Sequence, residues 1–161
     1  MKGFSLQSQG RVEADWIDVN GHMNIKSYFK LFEQGSWSYW HGMRAGLNED
    51  RDLSIVAGRF YIEHRRELEE GRKWQLWTGC VSINQSSFVL VHRIKATDGA
   101  KEIAATCEVL ATGFSLAERV SRSYPHSILQ RIEQNEIKGY KPRLNKLLAP
   151  STTSAADGHV A

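Results

Sequence analysis

The 161-residue chain predicts an α+β domain in which an antiparallel β-sheet wraps around one long central α-helix. Three observations carry this expectation. All three prolines, Pro125, Pro142 and Pro150, fall in the last 37 residues, so residues 1–124 lack the one residue that central strands exclude. A single long stretch near the N-terminus repeats its apolar residues at helical spacing. The strand-like segments after it are joined by connections too short for parallel pairing.

The elements follow in order. A first strand runs from about Ser5 to Asp15, and the turn-rich Asp18-Val19-Asn20-Gly21-His22 follows it. Ile25, Tyr28, Phe29, Phe32, Tyr39, Trp40, Met43 and Leu47 then mark a helix, with Asn24 as N-cap and Gly46 just past its end. Four strands come next. Ser54–Leu68 ends at Glu70-Gly71, and Lys73–Ile83 closes at Asn84-Gln85-Ser86. Phe88–Lys95 ends at the hairpin signal Asp98-Gly99, and Lys101–Leu116 completes the set. Ser127-x-x-Gln130 reads as the capping box of a short C-terminal helix that stops at Gly139. We therefore divide the chain into a sheet-and-helix domain (1–125), a helical extension (126–149) and a disordered tail (150–161).

Composition narrows the class. Hydrophobic residues make up 41% and charged residues 24%, as in an ordinary globular protein. No apolar run approaches the roughly eighteen residues of a membrane span, and the N-terminus turns polar too quickly for a signal peptide. Two cysteines, Cys80 and Cys107, make no disulfide framework, which suits a reducing cytoplasm. Residues 1–120 carry 15 basic and 15 acidic side chains, so the +3 excess belongs to the C-terminal quarter. A neutral main domain gives no electrostatic case for nucleic acid.

The stretch Asp15-Trp16-Ile17-Asp18-Val19-Asn20-Gly21-His22-Met23-Asn24 is the informative one. Two readings stand side by side. Asp, Asn and Gly form turns, and Asn24 caps a helix. Alternatively, a carboxylate lies just ahead of a helix N-terminus whose outward amides suit a developing oxyanion. It would then attack a polarised carbonyl or activate water to do so.

Asp18-x-x-Gly21-His22-Met23-Asn24, with Tyr28 and Glu33 beyond it, resembles the signature of hotdog-fold acyl-CoA thioesterases of the 4-hydroxybenzoyl-CoA thioesterase type. Arg65-Arg66-Glu67-Leu68-x-x-Gly71 resembles that family's second-strand ending, and Arg122-x-x-Pro125 its domain close. The likeness covers roughly residues 8–126. It implies a hotdog fold and hydrolysis of an acyl-CoA thioester. Asp18 takes the place of the catalytic carboxylate, and the amides near Asn24 and Ile25 that of the carbonyl-polarising donors. His22 either orients substrate or water, or satisfies the loop backbone. Substrate contacts are expected from Tyr28, Glu33, Tyr61 and His64, the last standing where the family usually has tyrosine. Glu33 alternatively hydrogen-bonds the Asp18 loop, or faces solvent or a partner subunit. CoA phosphates are expected near Arg59, Arg65 and Arg66. The family places this site at a dimer interface, so we expect a homodimer or a dimer of dimers, with CoA as part of the substrate and no separate cofactor.

The wording around Asp18 also resembles a subgroup acting on betainyl-CoA, whose quaternary ammonium calls for an aromatic cage. Trp37, Trp40, Tyr61 and Trp77 are candidates for one; the alternative is that they are core aromatics. Other chemistries find little support. The chain has no H-E-x-x-H and no C-x-x-C, so no metal site is expected. Gly113-Phe114-Ser115-Leu116-Ala117 lacks the final glycine of a nucleophile elbow. Two other functions stay open: a hotdog module that binds acyl-CoA without turnover, and an enoyl-CoA hydratase, whose Gly-Asp-x-Asn-Pro stretch is missing here.

Overall fold

The computed structural model describes residues 2–47, 51–99 and 102–144. The tail expected over 150–161 lies outside the described residues. Five strands, β1 (Ser5–Arg11), β2 (Leu53–His64), β3 (Lys73–Ser82), β4 (Ser87–Ala96) and β5 (Ile103–Ser115), form one sheet in the order β1-β3-β4-β5-β2. Every neighbouring pair is antiparallel. Helix α1 (Ile25–Arg44) follows β1, and helix α2 (His126–Asn135) follows β5. This is the hotdog fold. No helix among the described residues is long and apolar enough to cross a membrane.

Helix α1 buries Tyr28, Leu31, Phe32, Trp40 and Met43 in a core completed by Leu76, Phe88, Leu90, Ile94 and Val109 of the sheet. Its N-cap is Asn24, whose side chain accepts from the Ser27 amide at 3.0 Å. Gly35 sets how closely the helix approaches. A Cβ there would come within 2.6 Å of Leu76 Cδ2 and 3.3 Å of His92 Nδ1, and both neighbours are fully buried.

His92 is the polar member of this core. Ser36 Oγ donates to the Phe32 carbonyl, so His92 Nε2 donates to Ser36 at 3.0 Å. Nδ1 then accepts from Thr78 Oγ1 at 2.9 Å, and the ring is satisfied only while neutral. Burial pushes its pKa down to about 3.

Three boundaries differ from expectation, the two strand ends each where a pairing partner runs out. The first strand stops at Arg11, not Asp15, because its register ends against Lys73, the first residue of β3. The chain then turns through a short 3-10 helix (Ala14–Trp16) that tucks Trp16 against Trp74, ring centroids 6.1 Å apart. The second strand stops at His64, not Leu68. Its pairing with β5 ends at Ala105, the Arg65 and Arg66 amides both donate to the Ala104 carbonyl, and Leu68 turns into the core. The Ser127–Gln130 capping box does not form. Pro125 occupies the N-cap, no side chain caps the helix, and α2 ends at Asn135, short of Gly139.

The core continues past Pro125. Ile128 and Ile132 of α2 belong to the same cluster as α1, and Arg131 Nη1 donates to the Met43 and Ala45 carbonyls at 2.6 and 2.7 Å. These bonds satisfy carbonyls that the end of α1 leaves open.

Two measurements check this packing. The folded His92 pKa lies below the unfolded value of about 6.5, so unfolding takes up a proton between the two. The stability His92 confers is complete above about pH 6.5 and is lost progressively as pH falls toward its folded value. Most carboxylates titrate only below about pH 5. The melting temperature should therefore decline from pH 6.5 to 5, with a smaller share from His64, whose pKa burial also lowers. His92→Gln should flatten most of that slope, and a flat wild-type profile would contradict the assignment. Separately, Arg131→Ala should cost about 1–3 kcal/mol in urea unfolding.

Candidate functional site

The loop ahead of α1 is built by its own hydrogen bonds. Asp18 Oδ1 accepts from the Asn20 amide at 2.8 Å, an Asx turn. Gly21, at φ +82°, lets the chain reverse so that its amide reaches the Asp18 carbonyl and the His22 carbonyl reaches the Asp18 amide. The reversed loop is tied down on both sides. Met23 donates to the Leu68 carbonyl at 2.8 Å, while the Asn24 amide and Asn24 Nδ2 both donate to the Trp16 carbonyl at 2.7 Å.

These bonds revise one expectation. The Asn24 amide is committed to Trp16 and cannot polarise a substrate carbonyl. Asn24 positions the loop and caps the helix. The first intrahelical bond belongs to Ser27, which leaves the Ile25 and Lys26 amides ahead of it, where a helix has no internal acceptor to offer.

Asp18, His22, Met23, Ile25 and Tyr28 form one side of a cavity of about 590 Å³. His64, Arg65, Arg66 and Glu67, at and beyond the end of β2, form the other. Tyr28 meets the His64 ring edge-on at 4.7 Å between centroids. Its phenol is pushed up to about 12, first by burial and then by Glu67, so it stays protonated at neutral pH. Burial lowers the His64 pKa, and His22 lowers it further, so His64 is neutral there too. His22 Nε2 lies 3.8 Å from Glu67 Oε1. Arg65 pairs with Glu63 at 3.2 Å and Arg66 with Glu102 at 2.6 Å. Among the described residues, no group of three or more His, Cys, Asp or Glu side chains is arranged to hold a metal.

Three sequence-derived groupings come apart. Tyr61 pairs in register with Glu108, and Arg59 with Leu110, on the sheet face turned away from α1. There Tyr61 accepts from Arg143 at 2.6 Å, so neither Tyr61 nor Arg59 lines the Asp18 cavity. Glu33 is exposed on α1, in line with Ile25, Phe29 and Trp37, and is not part of the cavity lining. The aromatic cage does not assemble within the chain. Trp40 is buried in the core, Trp37 is exposed on α1, and Trp77 lies in β3 opposite Arg93. Met23 and Glu67 line the cavity as well, and the sequence singles out neither as a site residue. Glu67 directly follows Arg65-Arg66, and the irregular segment after β2, not a strand, brings it to the cavity that Asp18 lines.

Comparison with known proteins agrees with this architecture. The Staphylococcus aureus hypothetical protein SAV2348, solved in complex with CoA, superposes with a TM-score of 0.72 at 19% identity, over 89% of this chain and 92% of its own. Slr0204 of Synechocystis, a 1,4-dihydroxy-2-naphthoyl-CoA thioesterase, gives 0.66 at 12% identity, over 80% and 95%. A predicted thioesterase from Bacillus stearothermophilus gives 0.71 at 14% identity, over 86% and 98%. At these identities the likeness shows the fold. No curated protein sequence matches the chain. The family model described as thioesterase-like superfamily matches residues 12–132. With well over half of its length inside that match, the chain belongs to the thioesterase-like superfamily.

Proposed function

We propose that the protein hydrolyses an acyl-CoA thioester to the free acid and CoA. The observation that carries this reading is that Asp18 and Ile25 line one cavity, at the outward end of a 20-residue helix. A thioester carbonyl beside the Ile25 amide gains a hydrogen bond and the positive end of the helix dipole as its oxygen becomes an oxyanion. Asp18, on the adjoining loop, either attacks the carbonyl carbon to give a mixed anhydride that water then hydrolyses, or takes a proton from a water that attacks the carbonyl directly. CoA departs as a thiolate, a good leaving group that needs no strong acid, which suits a site whose Tyr28 and His64 are held neutral. The CoA complex of SAV2348 and the CoA thioester named for Slr0204 support the substrate class. The work would be done in the cytoplasm.

The active form is a homodimer, free to pair further. Ile25, Phe29 and Trp37 of α1 and Phe60 of β2 are 39–54% exposed, and the Phe29 and Phe60 rings lie 4.8 Å apart. This apolar flank adjoins β2, an edge strand with open backbone groups. A second copy covering both removes two liabilities at once.

Two tests follow. Asp18→Asn keeps the Oδ1 acceptor of the Asx turn, so the fold and melting temperature should hold. Thiol release from a panel of acyl-CoAs should fall about 10²–10⁴-fold in kcat. Retention of more than about a tenth of kcat would reduce Asp18 to a turn residue, and no thiol release by the wild type would favour a binding module. Phe60→Glu should shift the protein toward monomer in sedimentation velocity and reduce activity with it. A wild-type chain that sediments as an active monomer at micromolar concentration would refute the dimer.

A further inference from the structure

The sheet face turned away from α1 holds a second polar cavity, distinct from the one that Asp18 lines. Residues 136–144 cross this face. Ile137 donates to the Cys80 carbonyl at 2.9 Å, and Leu144 ends buried at 1% exposure. Glu108 of β5, 3% exposed, anchors the crossing. Its Oε1 accepts from the Tyr140 hydroxyl at 2.8 Å and its Oε2 from the Leu144 amide at 2.9 Å. Glu63 of β2 is filled in the same way, Oε1 by Arg143 at 2.8 Å and Oε2 by Arg65 at 3.2 Å. Those arginines, Arg65 first, hold its carboxyl below the usual range.

Between these anchors lies a cavity of about 240 Å³, bordered by Arg65, Arg93, Lys141 and Arg143. Its four cations outnumber its two carboxylates, a net charge of +2 on the lining, with Arg65 and Arg143 both bonded to Glu63. Arg93 is steadied by the Phe4 ring, 4.2 Å below its guanidinium. A pocket smaller than the roughly 300 Å³ of a drug-sized site takes a small group. A twofold excess of positive charge, mostly arginine, selects a dianion with several acceptor oxygens.

We infer that this outer-face cavity binds a phosphate monoester. Arg65 borders both this cavity and the Asp18 cavity, so occupancy here reaches the catalytic side through one guanidinium. The phosphate has two chemical sources: the nucleotide phosphates of CoA itself, or a free phosphorylated molecule acting as an effector.

Calorimetric titration of the full-length protein with inorganic phosphate and with adenosine 3′,5′-bisphosphate reads the site directly, whether or not thioesters are hydrolysed. Binding should weaken with added salt. Arg93→Gln should weaken it about ten- to a hundredfold, as expected for one charge-assisted contact. Lys141→Gln, at an exposed position, should weaken it without touching the fold. If Arg93→Gln also raises KM for an acyl-CoA but not for the matching acyl-pantetheine, the site holds CoA's phosphates. If both KM values stay unchanged while phosphate binding is lost, the site holds a free effector. No binding of either probe, or binding that both variants leave intact, overturns the inference.

Discussion

The Trp16 carbonyl accepts two hydrogen bonds from Asn24, one from its amide and one from its side chain, both at 2.7 Å. The candidate site depends on this clamp. It ties the strand-side of the Asp18 loop to the first residue before α1, so the carboxylate cannot drift from the helix N-terminus. Trp16 can serve as the fixed end because its ring is packed on Trp74 in the core. Asn24 also spends its Oδ1 on Ser27. One side chain thus caps the helix and closes the loop, ahead of the Ile25 and Lys26 amides that precede the first intrahelical bond.

A site fixed to the end of a helix is only as well placed as the helix. α1 is held along its length by different means. Asn24 secures the start. Close approach at Gly35, with the Ser36–His92–Thr78 chain, fixes the middle against β3 and β4. Arg131 of α2 binds the carbonyls at the far end. The helix cannot slide or rotate without leaving a buried polar group unsatisfied, which costs more than the bonds themselves contribute. The segment after α2 does comparable work on the opposite face, where Glu108 holds it down.

Local signals made much of this legible from sequence. Proline placement, the helical repeat from Ile25 to Leu47 and the short turns specify an antiparallel sheet around one helix, and Asn24 reads as an N-cap. What stayed hidden depends on partners distant in the chain. The first strand ends where β3 begins, and nothing near Arg11 announces that. Tyr61 and His64 sit three residues apart in one strand, so they face opposite sides of the sheet. That alternation separates His64, in the Asp18 cavity, from Tyr61 on the far face, and a motif read as a string does not display it. The commitment of the Asn24 amide was likewise invisible, because its acceptor lies eight residues back.

A crystal structure with a non-hydrolysable thioether analogue of an acyl-CoA tests the central claim most directly. The account predicts the analogue's carbonyl oxygen within hydrogen-bonding distance of the Ile25 amide, the Asp18 carboxylate facing the carbonyl carbon, and a second copy of the chain against the Phe29–Phe60 flank. An analogue bound with its carbonyl away from the α1 N-terminus, or with Asp18 turned from it and still engaged only in its Asx turn, would contradict it.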